Sequence, residues 1–172
     1  MKKNKISKTW INKQRRDIYV RKSKLEGYRS RAIYKLKEID DKFKIIRNGI
    51  KIVDLGSAPG SWSQYLSEKS KNSKILSIDL KDIEKIHNVT HLIGDFLDEK
   101  NQTIISNFFE DKLDLIVSDM AVNTTGNKNL DAISTGELSI NAMEFSVRNL
   151  KKNGSFVSKI FMGSTFNEIV EN

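Results

Sequence analysis

The chain has no cysteine, one proline and two histidines. Without cysteine there is no disulfide frame and no thiolate nucleophile or metal ligand, which suits a reducing compartment. No stretch approaches the roughly 18 to 20 apolar residues of a membrane span. The N-terminus is basic and polar and carries no apolar secretory core. A cytoplasmic protein without a membrane partner is the expectation. His87 and His91 stand four residues apart, but Asn88-Val89-Thr90 between them is not helical and no glutamate completes a metalloprotease pattern. No metal is expected.

What is present is one domain's worth of chain, 172 residues, with a net charge of +8. The charge is uneven. Residues 1–50 hold 17 Lys and Arg against 5 Asp and Glu, and residues 51–172 hold 13 against 17. The basic character therefore belongs to the N-terminal third. Its cations are interleaved with Trp10, Tyr19 and Tyr28, a mixture that can neutralise phosphates and stack on bases. Residues 1–29 are read as a basic RNA-binding arm and residues 30–172 as the folded domain. Trp10 and Tyr19 would serve equally well as anchors packing the arm onto that domain.

The stretch that organises the domain is residues 50–62, I-K-I-V-D-L-G-S-A-P-G-S-W. Ile50, Ile52, Val53 and Leu55 read as a buried strand of a parallel sheet. Gly56 and Gly60 follow, and Trp62, Tyr65 and Leu66 then recur at helical spacing. A strand, a glycine turn and a helix N-terminus at the carboxyl edge of a sheet make a ligand site. The spacing G-x-x-x-G matches neither the dinucleotide fingerprint nor the phosphate-binding loop. S-adenosylmethionine, which has no phosphate to cradle, remains as a candidate, beside a tight turn that binds nothing. Asp79 ends the next apolar run, 23 positions after Gly56, where a ribose-binding acid belongs.

Further along, Ser30 is a plausible N-cap for a helix to about Lys42, with Ala32, Ile33, Leu36, Ile39 and Phe43 on one stripe and Lys35 at its border. A helix is expected at about residues 61–70. Residues 91–96 read as a third strand, Ile104–Phe109 as helix, residues 113–119 as a fourth strand and Asn123–Asn129 as a polar loop. A helix from about Thr135 to Leu150 should stop before a turn at Gly154, followed by a fifth strand, Ser155–Phe161. Alternating helices and strands predict a doubly wound, mostly parallel α/β sheet. Asp79, Asp95, Asp119 and Lys159 then sit at or just after successive strand ends, on the edge that carries the glycine turn.

Five segments in this order, S-R-A-I-Y-K-L-K-E-I, V-D-L-G-S-A-P-G-S-W-S-Q-Y, I-G-D-F, S-D-M-A and S-F-V-S-K-I-F, closely resemble the bacterial FtsJ/RrmJ (RlmE) family. The resemblance implies a Rossmann-like, S-adenosylmethionine-dependent methyltransferase fold. It implies methylation of a uridine ribose 2′-OH of 23S-type ribosomal RNA in the assembled large subunit, by a monomer. Relatives acting on transfer RNA or mitochondrial ribosomal RNA share the core, and a non-catalytic RNA- and cofactor-binding remnant is the competing class. By the same resemblance Gly60, Trp62, Asp79, Asp95 and Asp119 contact the cofactor. Lys35, Asp119 and Lys159 match three of the family's four catalytic residues. A ribose hydroxyl must be aligned with the sulfonium methyl and relieved of its proton, and a lysine can do this only in its amine form. The pattern departs at Val122, where the family has proline. It also stops at Asn172, before the family's last two strands and its catalytic glutamate, so an incomplete sheet with an exposed fifth strand is expected.

Overall fold

The computed structural model describes residues 17–122 and 125–160. Among the described residues two helices come first, α1 (Ile18–Leu25) and α2 (Ile33–Phe43). The α/β part follows as β1 (Lys51–Leu55), α3 (Ser61–Lys69), β2 (Lys74–Asp79) and β3 (Val89–Ile93). It is completed by α4 (Glu99–Phe109), β4 (Leu113–Ser118), α5 (Lys128–Asn149) and β5 (Leu150–Ser158). All five strands are parallel, in the order β3-β2-β1-β4-β5. This is the doubly wound Rossmann-like sheet that the alternation of elements predicts. The order reverses between β1 and β4, so the crevice at the topological switch opens at the carboxyl ends of those two strands.

Alternate residues of the central strands feed two cores. Ile52, Ile75, Leu115 and Val117 pack with Ile33, Leu36, Trp62 and Tyr65 of α2 and α3. Val53, Leu55, Leu76, Ile78 and Ile116 pack on the opposite side with Ile105, Phe109 and Phe145 of α4 and α5. Strands buried on both faces explain the nearly continuous apolar runs of the sequence. Each fully buried Ile or Leu contributes about 1.5 to 3 kcal/mol, so these two layers hold the site's edge rigid.

Several local expectations are corrected. Residues 31–32 form a turn and α2 begins at Ile33; Ser30 is not its cap, and its hydroxyl instead accepts from Ala32 N–H at 3.2 Å. Phe43 is 62 % exposed, because the helix ends there and Lys44 turns left-handed at φ 52°. The third strand starts two residues earlier than expected and ends at Ile93, before Gly94-Asp95. Helix α5 starts seven residues before Thr135. The carboxamide oxygen of Asn127 accepts from the N–H groups of Asn129 and Leu130, so the polar loop supplies the helix cap. No turn separates α5 from β5. The strand begins at Leu150, with a register shift opposite Leu113–Leu115, and Gly154 lies within it.

Among the described residues β3 and β5 are the two edges, and β5 is nowhere fully buried. Trp10, Phe161 and the C-terminal residues lie outside the described residues. No helix among those described is long and apolar enough to cross a membrane.

Candidate active site

The glycine turn is built by close backbone approach. Gly56 (φ 73°) and Ser57 both donate to the Ile78 carbonyl, at 2.9 and 3.2 Å, which ties the turn to the end of β2. A Cβ on Gly56 would stand 2.5 Å from Met120 Cγ and 2.9 Å from Met120 Cα. Only glycine lets the ends of β1 and β4 come this close. Gly60 N–H then bonds to Ser57 O at 2.6 Å, and α3 starts.

Asp79 is locked against this turn. Its Oδ2 accepts from Ala58 N–H at 2.9 Å and its Oδ1 from Lys81 N–H at 3.0 Å. Just after the next strand, Asp95 Oδ1 accepts from Leu97 N–H at 2.9 Å. Both carboxylates line a cleft of about 480 Å³, together with Gly56, Ala58, Met120 and Leu138. The cleft combines bare backbone, a carboxylate of fixed orientation and apolar walls, the make-up of a small-molecule site.

Asp119 closes one end of it. The sheet sets its position, since its N–H donates to Leu55 O at 3.2 Å, and Lys159 N–H donates to Ser118 O at 2.8 Å. Lys159 Nζ lies 2.9 Å from Asp119 Oδ1 and also donates to the Asp119 carbonyl at 2.9 Å. Lys35 Nζ, from α2, approaches the same Oδ1 at 3.4 Å. Three residues separated by 84 and 40 positions thus meet on one carboxylate oxygen. The two lysines differ in exposure: 18 % of the Lys159 side chain reaches solvent, against 53 % for Lys35.

Gly60 and Trp62 do not line this cleft, but Trp62 lines a small recess beside it with Gly56, Ala58 and Asp119. Trp62 is buried and its indole N–H donates to Ala32 O at 2.8 Å, stapling α3 to the turn before α2. Gly60 faces Arg29 and Ile86.

Sequence reasoning passed over Asp54, near the carboxyl end of β1. It is fully buried on the α3 side of the sheet. Its Oδ2 accepts from Ser63 Oγ at 2.6 Å, and its Oδ1 has no partner among the described residues; the nearby Ser57 hydroxyl is in the same position. Burial pushes Asp54 up to about 7; the Ser63 bond opposes this and the charges of Asp119 and Asp79 add to it. The signal was a lone acid inside an apolar strand.

A second cleft, of about 720 Å³, runs between α1 and α2 and is lined by Tyr19, Lys24, Arg31, Tyr34, Lys35 and Glu38 among others. Lys35 belongs to it and also touches Asp119, so the two clefts meet at that ion pair. Arg31 is paired with Asp17, the N-cap of α1. Of the two aromatics expected as anchors, Tyr19 packs on Tyr34 with ring centres 5.4 Å apart yet stays 44 % exposed, and Trp10 lies outside the described residues; Tyr28 also meets Tyr34, with ring centres 6.5 Å apart.

A family model described as FtsJ-like methyltransferase matches residues 28–172. A Pelagibacter ubique protein named ribosomal RNA large subunit methyltransferase E is 61 % identical over 170 residues, covering 99 % of this chain and 84 % of that protein. A Rickettsia akari protein of the same name is 46 % identical, over 98 % of this chain and 77 % of its own. Among solved structures, a Plasmodium falciparum protein assigned as a ribosomal RNA methyltransferase superposes with a TM-score of 0.73 at 34 % identity, covering 83 % of each chain.

Proposed function

The chain belongs to the FtsJ-like methyltransferase family, and from that membership we propose that it methylates a ribose 2′-hydroxyl of large-subunit ribosomal RNA from S-adenosylmethionine. The finer reading, resting on the sequence resemblance, is that the target is a uridine of the assembled subunit. The observation that carries the proposal is the convergence of Lys35 and Lys159 on Asp119, at the end of the cleft that Asp79 lines.

The residues fit the cofactor. Gly56 brings bare backbone to the cleft, and Asp79, held by two N–H groups, offers its remaining lone pairs to a pair of ribose hydroxyls. Asp95 lines the same cleft, and the resemblance gives it to the adenine. Gly60 and Trp62, cofactor contacts by the resemblance, belong to the same turn, and Trp62 borders a small recess with Gly56, Ala58 and Asp119. When bound, S-adenosylmethionine supplies an electrophilic sulfonium methyl group.

The chain's own task is to align the acceptor oxygen and remove its proton. Lys159, the more enclosed of the two lysines, would take that proton in its amine form, the hydroxyl O–H bond breaking as the oxygen–methyl bond forms in place of the methyl group's bond to sulfur, whose electron pair stays on the departing thioether. Asp119 fixes the amine through its carboxylate and carbonyl. Lys35 approaches the same carboxylate oxygen from α2 and faces the cleft between α1 and α2. In this reading the RNA strand follows that second cleft and the basic arm before it, which supply phosphate affinity.

The test is transfer of labelled methyl groups to large ribosomal subunits and to free ribosomal RNA, with the product nucleotide mapped. A 2′-O-methyluridine at one position, formed on subunits, is the expected result. Label in a base, or none on either substrate, would overturn it.

A further inference from the structure

Arg29 closes the basic arm as read from the sequence, yet its surroundings are those of a clamp. Only 19 % of its side chain is exposed. Nη1 donates to the carbonyls of Pro59 at 3.1 Å and Glu84 at 2.9 Å, and Nη2 donates to the carbonyl of Lys85 at 3.3 Å. The guanidinium therefore divides its donors between two backbone segments. One is the turn that follows Ala58, and the other is the loop that leaves Asp79 and Lys81.

The neighbourhood closes around the same point. A Cβ on Gly60 would stand 2.8 Å from Arg29 Nη1 and 3.0 Å from Ile86 Cδ1, so a side chain there would push the guanidinium off the turn. Arg29 N–H reaches Gln64 Oε1 at 3.4 Å, while Gln64 Nε2 donates to Gly27 O at 3.1 Å. Ser30 and Ser61 share a hydroxyl bond of 2.7 Å. Residues 27–32 thus lie as a strap along the start of α3.

On the cleft side, Asp79 joins the same two segments, accepting from Ala58 one residue before Pro59 and from Lys81 three residues before Glu84. Asp79 and Arg29 close a ring from opposite sides, and the walls of the cleft are set between them.

We infer that Arg29 is a positioning residue for the cofactor cleft, acting through the carbonyls of Pro59, Glu84 and Lys85, and does not serve as a phosphate contact. The inference rests on the reading of that cleft as the S-adenosylmethionine site. An arginine is required because its planar fork presents donors in several directions at once, whereas a lysine radiates its donors from one nitrogen and cannot span both segments.

The test uses the full chain with Arg29→Ala and Arg29→Lys. Cofactor affinity is measured by calorimetry, steady-state constants by methyl transfer, and RNA binding as a function of salt. Arg29→Ala is expected to raise the cofactor Kd and KM by about tenfold while kcat at saturating cofactor changes by less than about threefold. Arg29→Lys should fall between the two, and it carries the test alone if the alanine variant does not fold. The salt slope of RNA binding should stay the same, since a lost phosphate contact on a single strand lowers it by about 0.7. A cofactor Kd equal to wild type in both variants overturns the inference, as does a salt slope lowered by about one ion. The wild-type titration comes first. A wild type that binds no S-adenosylmethionine defeats the reading of the cleft, whereas wild-type binding that Arg29 substitutions leave intact defeats only the clamp.

Discussion

Asp54 and Asp119 lie at the carboxyl ends of neighbouring parallel strands and meet opposite fates. Asp119, just after β4, keeps a little contact with solvent and takes two ammonium groups on one oxygen. Asp54, inside β1, is sealed beneath α3 with one serine hydroxyl for company. An acid at the open edge is compensated by opposite charge and remains available for chemistry. An acid one layer deeper has no cation to meet it, and the lower-energy solution is to hold its proton near neutrality. The same residue type is thus a working charge where it reaches the clefts and, buried just beneath them, a group that gives up its proton only near neutrality.

The largest test removes the closer compensating charge. Lys159→Ala strips Asp119 of the group that bridges its carboxylate and its carbonyl. The turnover number should fall by about 10³-fold, within the range for losing a proton-transfer group. Cofactor affinity should move by no more than about twofold, because the lysine acts on the acceptor side. Single-turnover rates at saturating cofactor measure this directly. Undiminished turnover would make the lysine a structural counter-ion and nothing more.

Asp54→Asn probes the other half of the comparison. Asp54 titrates near 7 when folded and near 3.8 when free, so the folded state binds the proton more tightly. Its contribution to stability is complete below about pH 4 and is lost as pH rises through 7. Asparagine cannot ionise, and so it escapes that loss. The variant should match wild type near pH 4 and exceed it by up to about 4 kcal/mol at pH 8, because each tenfold gain in proton affinity on folding is worth about 1.4 kcal/mol. Denaturant unfolding at several pH values gives the answer, and parallel profiles would mean that Asp54 is as well compensated as Asp119.

The contrast also marks what the sequence could disclose. Acids and lysines at strand ends were legible because doubly wound topology carries every carboxyl end to one edge, whichever residues lie between. Lys35 was legible as a border residue of an amphipathic helix. Asp54 was not, since a polar residue inside a strand gives no sign of which face it occupies or whether a partner awaits it there. Elsewhere, short-range signals misled. Asn-Thr-Thr-Gly-Asn reads as loop, yet its last asparagine caps α5. Lys-Lys-Asn-Gly reads as a turn, yet pairing with β4 draws it into β5. Arg29 had the composition of an RNA arm and the contacts of a clamp, because composition does not say which carbonyls are within reach.

Asp79 offers a third case between the two acids, satisfied by backbone N–H groups instead of by a cation. Asp79→Ala should weaken S-adenosylmethionine by about 1.5 to 3 kcal/mol, the range for a charge-assisted hydrogen bond. Asp79→Asn, which keeps one acceptor oxygen for Ala58, should lose less. Calorimetric titration of both variants separates the roles. Equal losses would assign the effect to a distorted turn, and an unchanged constant would remove Asp79 from the cofactor site.

The smallest effect is expected at Lys35, which shares the Asp119 oxygen with Lys159 but stands 3.4 Å away with half of its side chain in water. Solvent screens such a pair, and exposed ion pairs commonly contribute only about 0 to 1 kcal/mol. Lys35→Ala should therefore lower the turnover number by no more than about fivefold, the rate equivalent of about 1 kcal/mol. Its side chain also lines the cleft between α1 and α2, so KM for RNA should rise as well. The pair of single variants and the double variant form a cycle. If the Lys35 effect largely disappears in the Lys159→Ala background, Lys35 works by holding Asp119 for its partner. If the two effects multiply, Lys35 reaches the acceptor by itself, and the compensation around Asp119 is two independent contacts on one oxygen.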